Sequence, residues 1–291
     1  MNRNTMFDSF TFRNQATVQI ISVTSLLWIL IFLTEILMKG IGMETAFALL
    51  LYKLMLPTSV ATFLYQPWSI ITSIFLEMKA DFIGFLFRML ILYQLGGLLQ
   101  SYRGKETIWH LFIMGGIAGA VLHLLAYTFI HFYSTQNGFI HGTSASVLAV
   151  VAGLGTFLPD YRIRIFLFGE VAMKWIAILW VALDVVLLPS SSMQHFHHIG
   201  GAFYGFLFFR MYKQGIDFMK PWRWVGETAT RIWESTFQRK PTYGSRKTIN
   251  MDGAVTEEEL NRLLDKVAQK GYAALSRYEK ERLEKASRQN T

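Results

Sequence analysis

His141-Gly142-Thr143-Ser144-Ala145-Ser146-Val147-Leu148-Ala149-Val150-Val151-Ala152-Gly153 begins with a polar turn and runs directly into an apolar segment that ends near Leu158. A second segment is built the same way, with His198-Ile199-Gly200-Gly201 at the head of an apolar stretch that ends near Tyr212. A serine and a histidine at matched depth in a bilayer form a nucleophile and its base. A hydroxyl attacks an amide at a useful rate only when a group such as a neutral imidazole takes its proton. Whether the two meet depends on the rest of the chain.

Outward from these segments, hydrophobicity is gathered into blocks. Apolar residues make up 52% of the 291 positions and charged residues 16%, a balance unusual for a soluble domain. Six blocks read as membrane helices: Val18–Met38, Phe82–Gln100, Thr107–Ile130, Ser144–Leu158, Trp175–Leu188 and His198–Tyr212. The first three have the roughly 20 residues needed to cross a hydrocarbon core of about 30 Å. The fourth and sixth are short, as expected of helices that begin beneath a water-filled cavity. The fold class is therefore all-α, a polytopic six-helix membrane bundle. The first block lacks a small-residue cleavage site and reads as a retained helix.

Basic residues set the orientation. Arg3, Arg13, Arg103, Lys105, Arg162, Arg164, Lys174, Lys213, Lys220 and Arg223 flank the blocks on one side, whereas the loops 133–141 and 189–197 carry no Lys or Arg. Both termini are expected in the cytoplasm. The long loop 39–81 is apolar but broken by Lys53, Pro57 and Pro67, so it is expected to lie in the interface with Tyr52, Tyr65 and Trp68. Residues 1–17 form an N-terminal segment, 18–212 the membrane domain, 213–250 an interfacial stretch and linker, and 251–291 a small helical hairpin. In the hairpin, Thr256 with Glu259 and Ser276 with Glu279 offer capping boxes, and Leu260, Leu263, Leu264 and Val267 share a face. The hairpin reads equally as a solvated cytoplasmic appendage or as a module that docks a partner. The absence of cysteine excludes thiol catalysis, and the net charge of +8 suits anionic lipid rather than nucleic acid.

Small residues favour contact between the serine and histidine helices. Gly201 with Gly205 on one, and Ala149 with Gly153 on the other, each make a small-xxx-small pair. Gly142 permits a tight entry to the serine helix. There, backbone N–H groups and the positive helix end suit a developing oxyanion. His195, His197 and His198 crowd one stretch read as loop, but no HExxH pattern exists and neither a metal nor a cofactor is expected.

These residues together resemble the rhomboid intramembrane serine proteases of the six-helix form, most closely those of Bacteroidetes-type bacteria. The resemblance rests on Pro67-Trp68, Phe75-Leu76, Gly96-Gly97, Gly142-Thr143-Ser144-Ala145, Pro159-Asp160-Tyr161-Arg162-Ile163-Arg164 and His198-Ile199-Gly200-Gly201. It implies that Ser144 is the nucleophile and His198 its base, without a third acidic residue. It further implies membrane-protein substrates cut within a transmembrane segment near the outer leaflet of a bacterial inner membrane. The family usually places a His, and four residues later an Asn, at the start of the second helix to support the oxyanion. Gly84 and Arg88 stand there instead, and Glu77 replaces a usual His. His141, Gln136 and Asn137 are substitute donors to be considered. A slow enzyme, or a pseudoprotease that binds transmembrane segments without cutting them, are the two expectations.

Overall fold

The computed structural model describes residues 15–78, 81–130, 138–165, 169–188, 194–220 and 257–289, together with Trp222, Trp224, Thr228 and Val255. The expected Gln136, Asn137 and Thr256, and most of the stretch from 221 to 256, lie outside the described residues. The chain divides into two compact units, Met1–Arg231 and Ile232–Thr291.

In the first unit, α1 (Ala16–Gly40) is followed by α2 (Glu44–Leu54), β1 (Leu56–Pro57), α3 (Val60–Tyr65) and α4 (Ser69–Phe75). Next come α5 (Phe82–Arg103), which contains a π turn over Leu92–Gly96, and α6 (Lys105–Phe129). Then follow β2 (Phe139–Ile140), α7 (Ser144–Phe157), the hairpin strands β3 (Arg162–Ile165) and β4 (Gly169–Ala172), α8 (Met173–Val186) and α9 (Gln194–Lys213). Helices α1, α5 and α6, with mean hydropathies of 2.3, 1.8 and 1.8, are long and apolar enough to cross a bilayer. Helix α7 has 14 residues. At 1.5 Å per residue it spans about 21 Å, less than the hydrocarbon thickness.

α7 is the hub. Of its residues, Ala145 through Gly155 are all buried. Leu148, Val151 and Leu154 join Phe112 of α6, Phe208 and Phe209 of α9 and Leu92 of α5 in one core. A helix apolar on every side must be surrounded, and α6, α8 and α9 surround it. The contact with α9 is made backbone to backbone, and on the α6 side Gly115 and Gly119 receive the Ala149 and Ala145 methyl groups. A Cβ at Gly201 would collide with the Ala145 carbonyl, lying 2.7 Å from its carbon and 2.9 Å from Ala145 Cα. One turn on, a Cβ at Gly205 would strike the Ala149 carbonyl in the same way. The matching increments of four residues mean that α7 and α9 run parallel. Gly153 also faces α9, where a Cβ would meet the Phe209 ring at 3.1 Å and the Gly205 carbonyl oxygen at 3.5 Å, while the α9 pair lies against Ala145 and Ala149.

The loop 39–81 folds back on this core. Leu56 and Pro57 pair with Ile140 and Phe139 in a short antiparallel ladder, two-residue strands that nothing in the loop's composition announced. Trp68 Nε1 donates to the Lys53 carbonyl at 2.9 Å, and Thr72 Oγ1 to that of Leu54 at 2.6 Å. Tyr65 remains 86% exposed, as an interfacial ring should.

In the second unit, α10 (Glu257–Lys270) ends at Gly271 in the left-handed region, with φ +77°. A 3₁₀ turn then leads to α11 (Arg277–Gln289). Leu263 is buried, whereas its neighbour Leu264 is 49% exposed, so the shared apolar face is narrower than the sequence suggests. The Ser276–Glu279 capping box forms in both directions, with N–H donors at 2.8 and 3.3 Å. The Lys266 ammonium and the Ser276 N–H hold the Glu279 carboxyl at about 2, down from its usual 4.5. Because the folded value is the lower one, its contribution is complete above pH 4.5 and lost as pH falls toward 2. Intrinsic-rate-corrected amide protection over 277–289 should fall through that window, and Lys266→Met should move the loss toward pH 4.5.

Candidate functional site

Ser144 is the first residue of α7, and its entry turn follows from Gly142, whose φ of +106° lies in the region that favours glycine. The turn is pinned twice. Gly142 N–H donates to the Ser73 carbonyl at 2.9 Å. Thr143 N–H and Oγ1 donate to Glu77 Oε1 at 2.8 and 2.7 Å. The expected use of Gly142 and Thr143 N–H groups as oxyanion donors therefore does not hold, because both are already bonded. The N–H of Ser144, at the first helical position, has no acceptor within its helix.

Glu77 is fully buried, and its second oxygen accepts from Arg88 at 2.7 Å. The other terminal nitrogen of Arg88 donates to Asp81 Oδ2 at 2.7 Å. The Arg88 cation is thus spent on two carboxylates, and the residues that depart from the family pattern, Glu77 and Arg88, compensate one another. Gly84 lies on the first turn of α5, where a Cβ would meet the Asp81 carboxylate at 2.8 Å. It has no side chain to offer an oxyanion. Replacing Arg88 by Met leaves a buried, half-satisfied carboxylate, and is expected to cost about 3–5 kcal/mol of stability. Thermal unfolding in detergent checks this, and adding Glu77→Gln should recover most of the loss.

On the other side of the site, α9 begins at Gln194, four residues earlier than expected. His195 and His197 are helical like His198, and His197 is buried at 2% exposure, so the reading of the stretch before His198 as loop is corrected. The cause is packing. A Cβ at Gly119 of α6 would lie 2.5 Å from the His197 carbonyl oxygen and 2.8 Å from Ala145 Cβ, which locks this turn between α6 and α7.

His198 lies on the same helical turn as Gly201, and Gly201 rests on Ala145, the neighbour of Ser144. With parallel helices and 1.5 Å per residue, His198 sits about 3 Å nearer the helix-start end than Ser144. The two expected reactive residues are thereby brought to one level on helices whose backbones touch.

The His198 imidazole does not stand alone. Its Nδ1 lies 2.8 Å from Oδ1 of Asp184 on α8, and Nδ1 of His195 lies 2.8 Å from the same oxygen. Asp184 is buried, and its Oδ2 has no partner among the described residues. The resemblance implied no acidic partner, yet the structure supplies one. No spacing rule joins Asp184 to His198, since the pairing crosses from α8 to α9. The ligand atoms of Asp184, His195 and His198 lie within 4.8 Å of one another, a set with the chemistry to hold a divalent transition metal. His141, just before the Gly142 turn, has a buried Nδ1 without a partner among the described residues. It lies within electrostatic reach of Glu77, Arg88 and His197. Away from this site, His110 of α6 bonds Tyr204 at 2.7 Å within an aromatic cluster.

Among curated proteins, none matches the chain by sequence. Residues 247–289, which include α10 and α11, match a family of unknown function, DUF6576. The Rhomboid domain profile matches residues 64–214, more than half of the 291 positions and all of α5 to α9. With apolar helices long enough to span a bilayer and a domain match covering both the serine and the histidine helix, the chain belongs to the rhomboid family of integral membrane proteins.

Proposed function

We propose that this protein is an intramembrane serine endopeptidase, with Ser144 as nucleophile and His198 as general base. It would cut transmembrane segments of other membrane proteins near the outer leaflet of a bacterial inner membrane, with both termini cytoplasmic. The observation that carries the proposal is the contact of Gly201 with Ala145, which sets the histidine and serine helices side by side at one level.

Ser144 Oγ attacks the scissile carbonyl carbon as its proton passes to His198 Nε2. The tetrahedral oxyanion collapses, the C–N bond breaks, and the leaving amine takes the proton from His198. Water then gives a proton to His198 and attacks the acyl ester, releasing the acid and restoring the Ser144 hydroxyl. The Ser144 N–H and the His141 imidazole are the oxyanion donors in this reading.

The runner-up, a pseudoprotease that binds transmembrane segments, draws on one observation. The Gly142 and Thr143 N–H groups are both committed, and Gly84 and Arg88 offer no replacement. Incubation of the purified protein with a fluorophosphonate separates the two readings. Adduct on Ser144, together with cleavage of a reconstituted transmembrane substrate, is expected. Labelling elsewhere overturns the nucleophile assignment, and Ser144 labelling without cleavage of any substrate favours the binder.

A further inference from the structure

We infer that Asp184 completes a Ser144–His198–Asp184 triad as a positioning residue that fixes the tautomer and orientation of His198. The inference rests on the reading of His198 as base. A carboxylate can only accept, so the 2.8 Å contact requires His198 Nδ1 to carry a proton. In the neutral ring that leaves Nε2 bare, the form a general base needs. After Nε2 takes the serine proton, the imidazolium faces an anion that is itself buried. Asp184 is 5% exposed, and the His198 side chain 18%. The carboxylate stays ionised throughout and moves no proton; its work is to stabilise the charge that forms next to it.

The second imidazole makes the arrangement more than a chance contact. His195, one turn ahead of His198 on α9, brings its own Nδ1 to the same Asp184 oxygen. Two donors on one oxygen, from one helix face, fix the rotation of the carboxylate from both sides and hold α8 to the start of α9. The Asp184 carboxylate thus serves as a shared acceptor, with His198 the member next to the nucleophile helix and His195 its support. His195 is a structural donor in this scheme, and its removal costs less than removal of Asp184.

The test compares wild type with Asp184→Asn, Asp184→Glu, His195→Ala and Ser144→Ala on one reconstituted transmembrane substrate. Asp184→Asn retains shape but offers an N–H to Nδ1, which favours the wrong tautomer. It is expected to lower kcat by about 10²-fold or more, with KM within about threefold. The unfolding temperature should be close to wild type. Asp184→Glu should restore part of the rate, and His195→Ala should lose only severalfold. In ¹⁵N-histidine-labelled protein, wild type should show a slowly exchanging, low-field Nδ1–H resonance that Asp184→Asn abolishes. If Ser144→Ala abolishes turnover while Asp184→Asn leaves kcat within threefold, the positioning role is overturned and the protease reading stands. If Ser144→Ala is as active as wild type, the protease reading itself fails. One equivalent of tightly held zinc in the purified protein also overturns the inference, because Nδ1 would then hold metal in place of a proton.

Discussion

Ser144→Ala should reduce cleavage of a transmembrane substrate by about 10⁶-fold, the scale expected when the nucleophile of a serine–histidine pair is deleted. The protein should otherwise fold and extract from membranes as wild type does. Ser144 lies at the open start of α7 and makes no side-chain hydrogen bond among the described residues, so removing its oxygen breaks nothing structural. Ser146 provides the matched control. Its Oγ is buried without a partner among the described residues, on the side of α7 that faces Gly116 and Ile74 of neighbouring elements. A Cβ at Gly116 would lie 2.7 Å from the Ser146 oxygen and 2.6 Å from Ile74 Cδ1, so this hydroxyl points into the packing of α6 and α4. Ser146→Ala should therefore leave kcat within a few fold. Rates from initial velocities in proteoliposomes check both variants. Equal losses in the two would indicate that packing of α7, rather than a hydroxyl at position 144, is what activity requires.

The bundle was legible because crossing a bilayer imposes a length and an apolar composition on each helix. The expected block Val18–Met38 is the core of α1, and Phe82–Gln100 and Thr107–Ile130 match α5 and α6 to within a few residues. The start of α9 was misplaced for a physical reason. Gln194-His195-Phe196-His197 is too polar to look like membrane helix until its imidazoles find Asp184 and the α6–α7 seam. Pairings across elements carry no periodic signature, so Asp184 with His198 and Glu77 with Thr143, 66 positions apart, stayed hidden. One clue was available. Glu77 and Arg88 are opposite charges, and both depart from the family pattern in otherwise apolar surroundings. An unpaired charge there is costly, so two departures of opposite sign imply each other. A second clue lay in α6, where Gly115 and Gly119 repeat the same small-residue spacing and receive Ala149 and Ala145.

Gly205→Ala tests the seam on which the site depends. On an exposed helix this exchange gains about 1 kcal/mol, because alanine is the better helix former. Here the added methyl would sit 2.8 Å from the Ala149 carbonyl carbon and 3.0 Å from its Cα, with the carbonyl oxygen closer still. The obstacle is backbone in the middle of a buried helix, which cannot rotate away as a side chain can. The helices must separate, and overpacking of this kind costs typically 1–3 kcal/mol. The sign of the effect is therefore reversed by space alone, and Gly205→Leu should prevent a detergent-stable fold. Gly153→Ala on α7 is the comparison: its methyl would meet the Phe209 ring at 3.1 and 3.2 Å, contacts that a displacement of a few tenths of an ångström relieves, whereas the clash at Gly205 is with backbone. It should cost less stability than Gly205→Ala. Activity should fall more steeply than stability in Gly205→Ala, since a shift of about 1 Å between α7 and α9 misplaces His198 relative to Ser144 and can cost about 10²-fold in rate. Thermal unfolding and kcat measured on the same preparations decide the matter. Gly205→Ala as stable and as fast as wild type would mean that α7 and α9 are not held together at Gly205.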